Sequence, residues 1–267
     1  VNFEKWQGLG NNYIVAETAS WPLPLTADRA RALCDRNFGI GSDGILEVTH
    51  DGSPRMTVWN PDGSHAENCG NGIRMVARYL ALAGRLPEDG VILTGGGPVR
   101  VAVLDDDRVR VHMGAAVFPA GERREALPVD GASVEFAEVS MGNPHAIIEH
   151  PDPEAVVRTL GPRVETDERF PERTNVEFVR PDGASELTMR VWERGVGETL
   201  ACGTGACAAA VAAVRLSGLA PPVTVHLKGG DLEIDVDDQL EVTMTGPAAP
   251  IYSGRVSPAL TRTLEAL

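Results

Sequence analysis

Val58-Trp59 is followed by Cys69-Gly70-Asn71-Gly72, and Val191-Trp192 is followed at the same distance by Cys202-Gly203-Thr204-Gly205. The second pair lies 133 residues after the first (58 to 191, 69 to 202). Other anchors repeat in the same order: Gly10-Asn11 returns as Gly142-Asn143, Phe38 as Phe170, and Gly95-Gly96 as Gly229-Gly230, at offsets of 132, 132 and 134. Anchors in one order at nearly one offset mark two copies of a single structural unit, with a period too long for a solenoid.

Working outward from the repeat, 267 residues allow two medium domains, each large enough to bury a core. The expected division is 1–115 and 116–249, with the segment from about 250 to 267 returning to the first half. The hydrophobic fraction of 43% beside 23% charged residues is that of a globular chain. A net charge of −14 argues against nucleic acid or an anionic membrane as a partner. The longest small-apolar run, Ala206 to Val214, is too short for a bilayer, which takes about 20 residues. The first residues lack a basic region followed by an apolar run, so a cytoplasmic protein is expected. Cys34, Cys69, Cys202 and Cys207 form no Cys-x-x-Cys pair, and His50, His65, His112, His150 and His226 show no ligand spacing. Reduced thiols and no metal are the expectation. Cys34 and Cys207 read as buried structural thiols.

Strands alternate with helices. Tyr13-Ile14-Val15-Ala16 reads as strand, Thr26 to Asn37 as a helix ending near Gly39, Arg55 to Trp59 as strand, and Gly72 to Leu82 as a helix stopped by Gly84. The second copy repeats the plan with a strand over Leu187 to Trp192 and a helix over Gly205 to Leu216, stopped by Gly218. Strand-patterned segments follow, Val99 to His112 and Leu232 to Thr245, broken at Asp105-Asp106-Asp107 and Asp237-Asp238. The fold class is therefore α/β (α+β). Two pseudo-symmetric duplicated domains are expected, each a curved, mainly antiparallel sheet or barrel around a central helix.

A cysteine opening a helix has a chemical use. The first N–H groups of a helix have no internal partner and carry roughly half a positive charge, so they hold an anion and favour a thiolate. Glycines just beyond let a ligand approach the backbone. If the copies pack about a pseudo-twofold axis, both helix starts converge on one cleft and place an α-carbon between two sulfurs. That suits removal of a proton α to a carboxylate, with the helix ends stabilising the enolate-like charge. One thiolate takes the proton while the other thiol delivers one to the opposite face.

A pyridoxal phosphate mechanism is disfavoured because the two lysines, Lys5 near the terminus and Lys228 in a Gly-rich turn, are poor Schiff-base candidates. Other readings stay open. A related racemase or epimerase acting on histidine or a proline derivative would keep both cysteines. A hydrolase using one thiol with His145 would leave the second unexplained, and a binding protein would need neither.

Several segments resemble the diaminopimelate epimerase family: Gly8-Leu9-Gly10-Asn11, Asn68-Cys69 through Ile73-Arg74, Met141-Gly142-Asn143-Pro144-His145, Thr174-Asn175-Val176, and Glu193-Arg194-Gly195 through Cys202-Gly203-Thr204-Gly205-Ala206. They occur in family order along nearly the whole chain. The resemblance implies a cofactor-independent homodimeric enzyme that interconverts LL- and meso-2,6-diaminopimelate in lysine and peptidoglycan-precursor synthesis. It makes Cys69 and Cys202 the acid/base pair, with Glu193 and His145 beside the reacting centre. It puts the α-carboxylate on Gly70, Asn71, Gly203 and Thr204, and gives substrate contacts to Asn11, Asn60, Asn143, Asn175, Glu193 and Arg194. Arg194 suits a distal carboxylate because its guanidinium pairs bidentately. The chain departs from the family pattern at Gly44, where some members carry glutamine, and at Asn12 and Pro61. Asn60 and Glu193 are counterparts in the repeat (60 to 193) yet differ in chemistry, as a recognition site with two unlike ends requires.

Overall fold

A computed structural model describes residues 2–21, 23–66, 69–87, 89–106, 108–129 and 131–267. Asn68 of the quoted motif and Asp107 of the expected turn lie outside the described residues. The chain divides into two compact units, Val1–Val111 with Pro247–Leu267, and His112–Gly246.

The first unit carries β1 (Asn2–Gly8), β2 (Asn11–Glu17), α1 (Ala27–Cys34), β3 (Ile45–Asp51), β4 (Ser53–Trp59), β5 (His65–Ala66), α2 (Gly70–Leu82), β6 (Val91–Thr94), β7 (Gly97–Val103) and β8 (Arg108–Ala115). The second carries β9 (Glu125–Val129), β10 (Ala132–Ser140), β11 (Pro144–Glu149), α3 (Pro153–Glu165), β12 (Asn175–Pro181), β13 (Glu186–Glu193), β14 (Gly197–Glu198), α4 (Gly203–Ser217), β15 (Val223–Leu227), β16 (Gly230–Val236) and β17 (Glu241–Pro247). The chain ends with β18 (Ala249–Arg255) and α5 (Pro258–Glu265), which belong to the first unit.

The duplication holds at the level of strand pairing. In the first unit β18–β1 and β1–β2 are antiparallel, β2–β3 parallel, β3–β4 antiparallel, β4–β6 parallel, and β6–β7 and β7–β8 antiparallel. The second unit gives the same sequence of senses along β9-β10-β11-β12-β13-β15-β16-β17. Each sheet is therefore mainly antiparallel with two parallel joints. The first position is filled by the preceding strand β9 in one unit and by the returning strand β18 in the other.

Register locates the small changes in offset. Gly8 faces Asn11 across the two-residue turn Leu9-Gly10, while Ser140 faces Pro144 across three residues. Leu9 and Gly10 both have positive φ, the geometry of a tight primed hairpin turn that follows the strand twist. Ile14 and Ala16 face one core as Ala146 and Ile148 face the other, so the matching pairs are Gln7–Asn12 and Ser140–Pro144 and the offset passes from 133 before the turn to 132 after it. Thr94 faces Gly97 and Leu227 faces Gly230, so the counterparts of Gly229-Gly230 are Gly96-Gly97, at an offset of 133. The 134 obtained by pairing Gly95-Gly96 is one residue out of register within a run of three glycines. The Phe anchors also differ in environment, since Phe38 is 86% exposed and Phe170 6%.

Both central helices begin earlier than periodicity indicates, at Gly70 and Gly203, because each cysteine acts as the N-cap. Gly218 closes α4 in the left-handed conformation, where a side chain would be strained. α4 is buried around most of its circumference by Ala206, Cys207, Ala208, Ala209, Ala210 and Val211, and it lies against strands of its own sheet. Its small side chains let those strands approach the helix closely. α2 instead buries Ile73, Met75, Val76 and Leu80, each contributing about 1.5–3 kcal/mol as apolar area leaves water. The helix expected over Thr26 to Asn37 stops at Cys34, because the Asp35 carboxylate accepts the N–H groups of Asn37 and Phe38 in a turn. α3 and α5 were not expected from periodicity. Each begins with a proline in its first turn behind a side-chain cap, from Asp152 and Ser257.

Candidate active site

The N-cap position of a helix usually holds Ser, Thr, Asp or Asn, whose oxygen accepts an early N–H. Here sulfur does so twice. Cys69 Sγ accepts from Gly72 N at 3.2 Å, and Cys202 Sγ accepts from Gly205 N at 3.4 Å, both residues having extended backbone. The helices themselves offer no acceptor to the N–H groups of Gly70 and Asn71, or of Gly203 and Thr204. A side chain at the third helical residue would crowd its neighbours. A Cβ on Gly72 would lie 2.7 Å from Leu46 Cδ2, and one on Gly205 would lie 2.5 Å from Glu177 Oε1.

In the first unit, Cys69 is half-buried and its thiol donates to the Tyr13 hydroxyl at 3.5 Å. The Asn71 side chain is turned back onto the protein, its Oδ1 accepting from Arg74 Nη2 at 2.8 Å, so its backbone N–H is the group it presents at the helix start. Asn11 opens β2 directly after the turn. Asn60 follows β4 in a turn, its Nδ2 donating to Ser64 Oγ at 2.9 Å.

In the second unit a continuous run of polar groups leads to Cys202. Glu177 Oε1 is 2.8 Å from His145 Nδ1, and His145 Nε2 is 3.1 Å from Asn143 Oδ1. Asn143 Nδ2 donates to Thr204 Oγ1 at 3.3 Å, which is 3.6 Å from Cys202 Sγ. The parallel joint β11–β12 sets His145 opposite Asn175. Asn175 is buried and ties two backbones together: its Nδ2 donates to Pro144 O, and its Oδ1 accepts from Arg194 N, both at 3.0 Å. It thereby fixes the corner carrying Glu193 and the exposed Arg194. Thr199 Oγ1 donates to Glu193 Oε1.

The electrostatics of this unit are set by burial. Burial pushes the Cys202 thiol well above its ordinary range, the charges of Glu193 and Glu177 push the same way, and bonds from Thr204 and Gly205 oppose them. Burial also raises the Glu193 carboxyl, aided by the Glu177 charge and opposed by Thr199 and His145. Cys202 is thus a thiol at neutral pH in this state, and Glu193 is a carboxyl that gains a proton more readily than usual. Cys34 and Cys207 are buried in the cores, and burial lifts the Cys34 thiol to about 11.

Glu177 is a candidate that sequence reasoning missed. It is completely buried, with Oε2 lacking a hydrogen-bond partner. It sits in the buried run Asn175 to Val179, where alternation gives no cue. The repeat did carry one. Leu46 pairs with Val58 in the first unit and Glu177 with Val191 in the second, and the two lie against Gly72 and Gly205, so a carboxylate replaces a leucine at one structural position.

Among the described residues no group of three or more His, Cys, Asp or Glu side chains is arranged to hold a metal, and no helix is long and apolar enough to cross a membrane. The sequence profile of diaminopimelate epimerases matches residues 3–119 and 137–251. The diaminopimelate epimerase of Synechococcus sp. (strain JA-3-3Ab) is 43% identical, over 95% of this chain and 97% of the relative. That of Alkalilimnicola ehrlichii is 41% identical, over 96% and 98%. Among solved structures, a probable proline racemase from Agrobacterium radiobacter K84 superposes with a TM-score of 0.72 at 14% identity, covering 96% of this chain and 93% of that one. At that identity the likeness speaks for the fold.

Proposed function

Since the chain belongs to the diaminopimelate epimerase family, we propose that it interconverts LL- and meso-2,6-diaminopimelate by moving the α-proton between two thiols, without a cofactor. The observation that carries this reading is the pair of cysteine N-caps at corresponding helix starts of two like-built units. In the forward step a cysteine thiolate takes the proton from the α-carbon, leaving the electron pair delocalised into the α-carboxylate. The N–H groups of Gly70, Asn71, Gly203 and Thr204 stabilise the charge growing on those oxygens. The other cysteine delivers its S–H proton to the opposite face, so the α-carbon inverts and the two sulfurs exchange protonation states. Microscopic reversibility makes the second sulfur the base for the return reaction.

Glu193 and His145 serve the reacting centre from the second unit, and Asn143 ties His145 to the helix start through Thr204. Asn11, Asn60, Asn175 and Arg194 hold the substrate or the backbone around it, with Arg194 pairing the distal carboxylate. The enzyme works as a cytoplasmic homodimer on a free amino acid. Incubation of the reduced protein with LL-diaminopimelate in deuterated water, without added cofactor, is expected to give meso product carrying deuterium at one α-carbon. Undiminished inversion by Cys69→Ala, or a requirement for pyridoxal phosphate, would sink the two-thiol mechanism.

A further inference from the structure

Tyr13 lies on β2 beside the point where β3 begins, next in register to the Ile14–Ile45 pair, and is therefore set against Gly44. Ile14 N donates to Gly44 O at 3.1 Å, which locks the two strands at this level. A Cβ on Gly44 would come within 2.6 Å of Tyr13 Cε1 and 2.6 Å of Trp59 O, so the phenol ring occupies the space a side chain at 44 would fill. The ring is buried, and its hydroxyl reaches the Cys69 sulfur at 3.5 Å. In the second unit the corresponding residues are His145 and Asn175, which stand opposite each other, and neither carries a hydroxyl. Among the described residues the Cys69 thiol bonds a phenol, whereas the Cys202 sulfur lies beside the Thr204 hydroxyl.

We propose that Tyr13 is a positioning residue for the Cys69 thiol. Its hydroxyl oxygen accepts the S–H hydrogen while the sulfur is protonated, and its own hydrogen is donated to the sulfur once that proton has left. The phenol can do both because it is donor and acceptor at once, whereas a sulfur without a donor holds its negative charge less well. No proton passes to Tyr13 in either state; the hydroxyl turns and the sulfur stays in place. The function of this turn rests on the reading of Cys69 as a proton carrier.

Other ionisable groups lie on the elements around this pair. Arg74 on α2 bonds Asn71 Oδ1, Lys5 on β1 bonds Gly41 O, and Glu4 accepts from Trp6 Nε1. Glu47 on β3 accepts from Trp59 Nε1, Asp43 accepts from Asn12 and Arg36, and His65 on β5 stacks against the Trp59 ring. Each is engaged by a partner other than the sulfur. Removing the phenol hydroxyl thus leaves those charges where they are.

The test is the pH dependence of Cys69 alkylation by iodoacetamide in the full-length protein, followed by peptide mass spectrometry, for the parent and Tyr13→Phe. Loss of a donor to a charged sulfur is expected to move the midpoint up by about one pH unit, a roughly tenfold slower alkylation below it. Unchanged burial of Cys34 towards the same reagent reports that the variant is folded. Should Tyr13→Phe fail that check, 3-fluorotyrosine placed at position 13 supplies the opposite test, since its more acidic hydroxyl is a stronger donor and moves the midpoint down. Coincident midpoints for parent and altered protein overturn the assignment, even if the parent epimerises substrate. Failure of the parent to exchange an α-hydrogen removes instead the reading of Cys69 as a proton carrier, and leaves the thiol midpoints as measured.

Discussion

His145 Nδ1 and Glu177 Oε1 lie 2.8 Å apart, and neither side chain is reached by solvent. The second oxygen of Glu177 has no hydrogen-bond partner. The pair joins two parallel strands at the foot of the Cys202 helix, where Gly205 leaves just enough room for the carboxylate. Such a pair matters less for net stability than for what happens when one member is removed, because a buried polar partner is then left alone.

Glu177→Ala is accordingly expected to destabilise the protein by about 3–5 kcal/mol, and Glu177→Gln, which keeps a hydrogen-bonding group beside His145, by roughly 1–3 kcal/mol. Urea unfolding followed by circular dichroism measures both. Equal losses would show that space filling, rather than the bond to His145, is what Glu177 supplies.

The glycines of the two helix starts are expected to differ. Gly205→Ala drives a methyl group onto a carboxylate held by His145 and costs about 1–3 kcal/mol, as overpacked sites do. Gly72→Ala meets the end of the Leu46 side chain, which can turn, and the Cys69 sulfur at 3.1 Å. The smaller loss of stability is therefore expected at Gly72, accompanied by loss of epimerisation. Thermal melting beside a turnover assay separates the two effects, and a larger stability loss at Gly72 would contradict the account.

Much of this was legible in the residue string. Equal spacing from Val-Trp to Cys exposed the repeat, and the repeat carried the likeness of the two mainly antiparallel sheets. The helix starts were read two residues late because glycine is a poor helix former, and the sulfur cap that compensates is invisible to periodicity. Glu177 was hidden in a strand buried on both faces. Asn175 reads as a substrate contact by resemblance, and its amide is used in the structure to join Pro144 to Arg194. A side chain's partners are set by strand register, which a string does not display.

Alkaline pH is expected to weaken the fold through Cys34, whose folded pKa is raised to about 11 by burial. The unfolded thiol ionises first, near pH 8.5, so above that point the unfolded state binds fewer protons and stability falls until the folded thiol also titrates. Stability is fully present below about pH 8.5, and up to about 3 kcal/mol is lost by the folded pKa. Comparing urea midpoints across this window for the parent and Cys34→Ala isolates the contribution, since other groups titrate in both. Parallel alkaline losses would assign the effect elsewhere.

Thr199→Val removes a hydroxyl that favours the charged form of Glu193. The Glu193 pKa, already raised by burial, should rise further, and the acid limb of kcat/KM should move up by about one pH unit. A limb that stays in place would mean that another group governs it.

The returning strand β18 gives the two units different histories on the ribosome. The second unit has all its paired strands once Gly246 has emerged, because β9 immediately precedes β10 in the chain. The first unit, although made earlier, must wait with β1 as an open edge until Ala249–Arg255 arrives to pair with it. An open strand edge is a template for pairing with other chains. The half of the protein synthesised first is thus the half that closes last, and its nascent form is the one in need of protection.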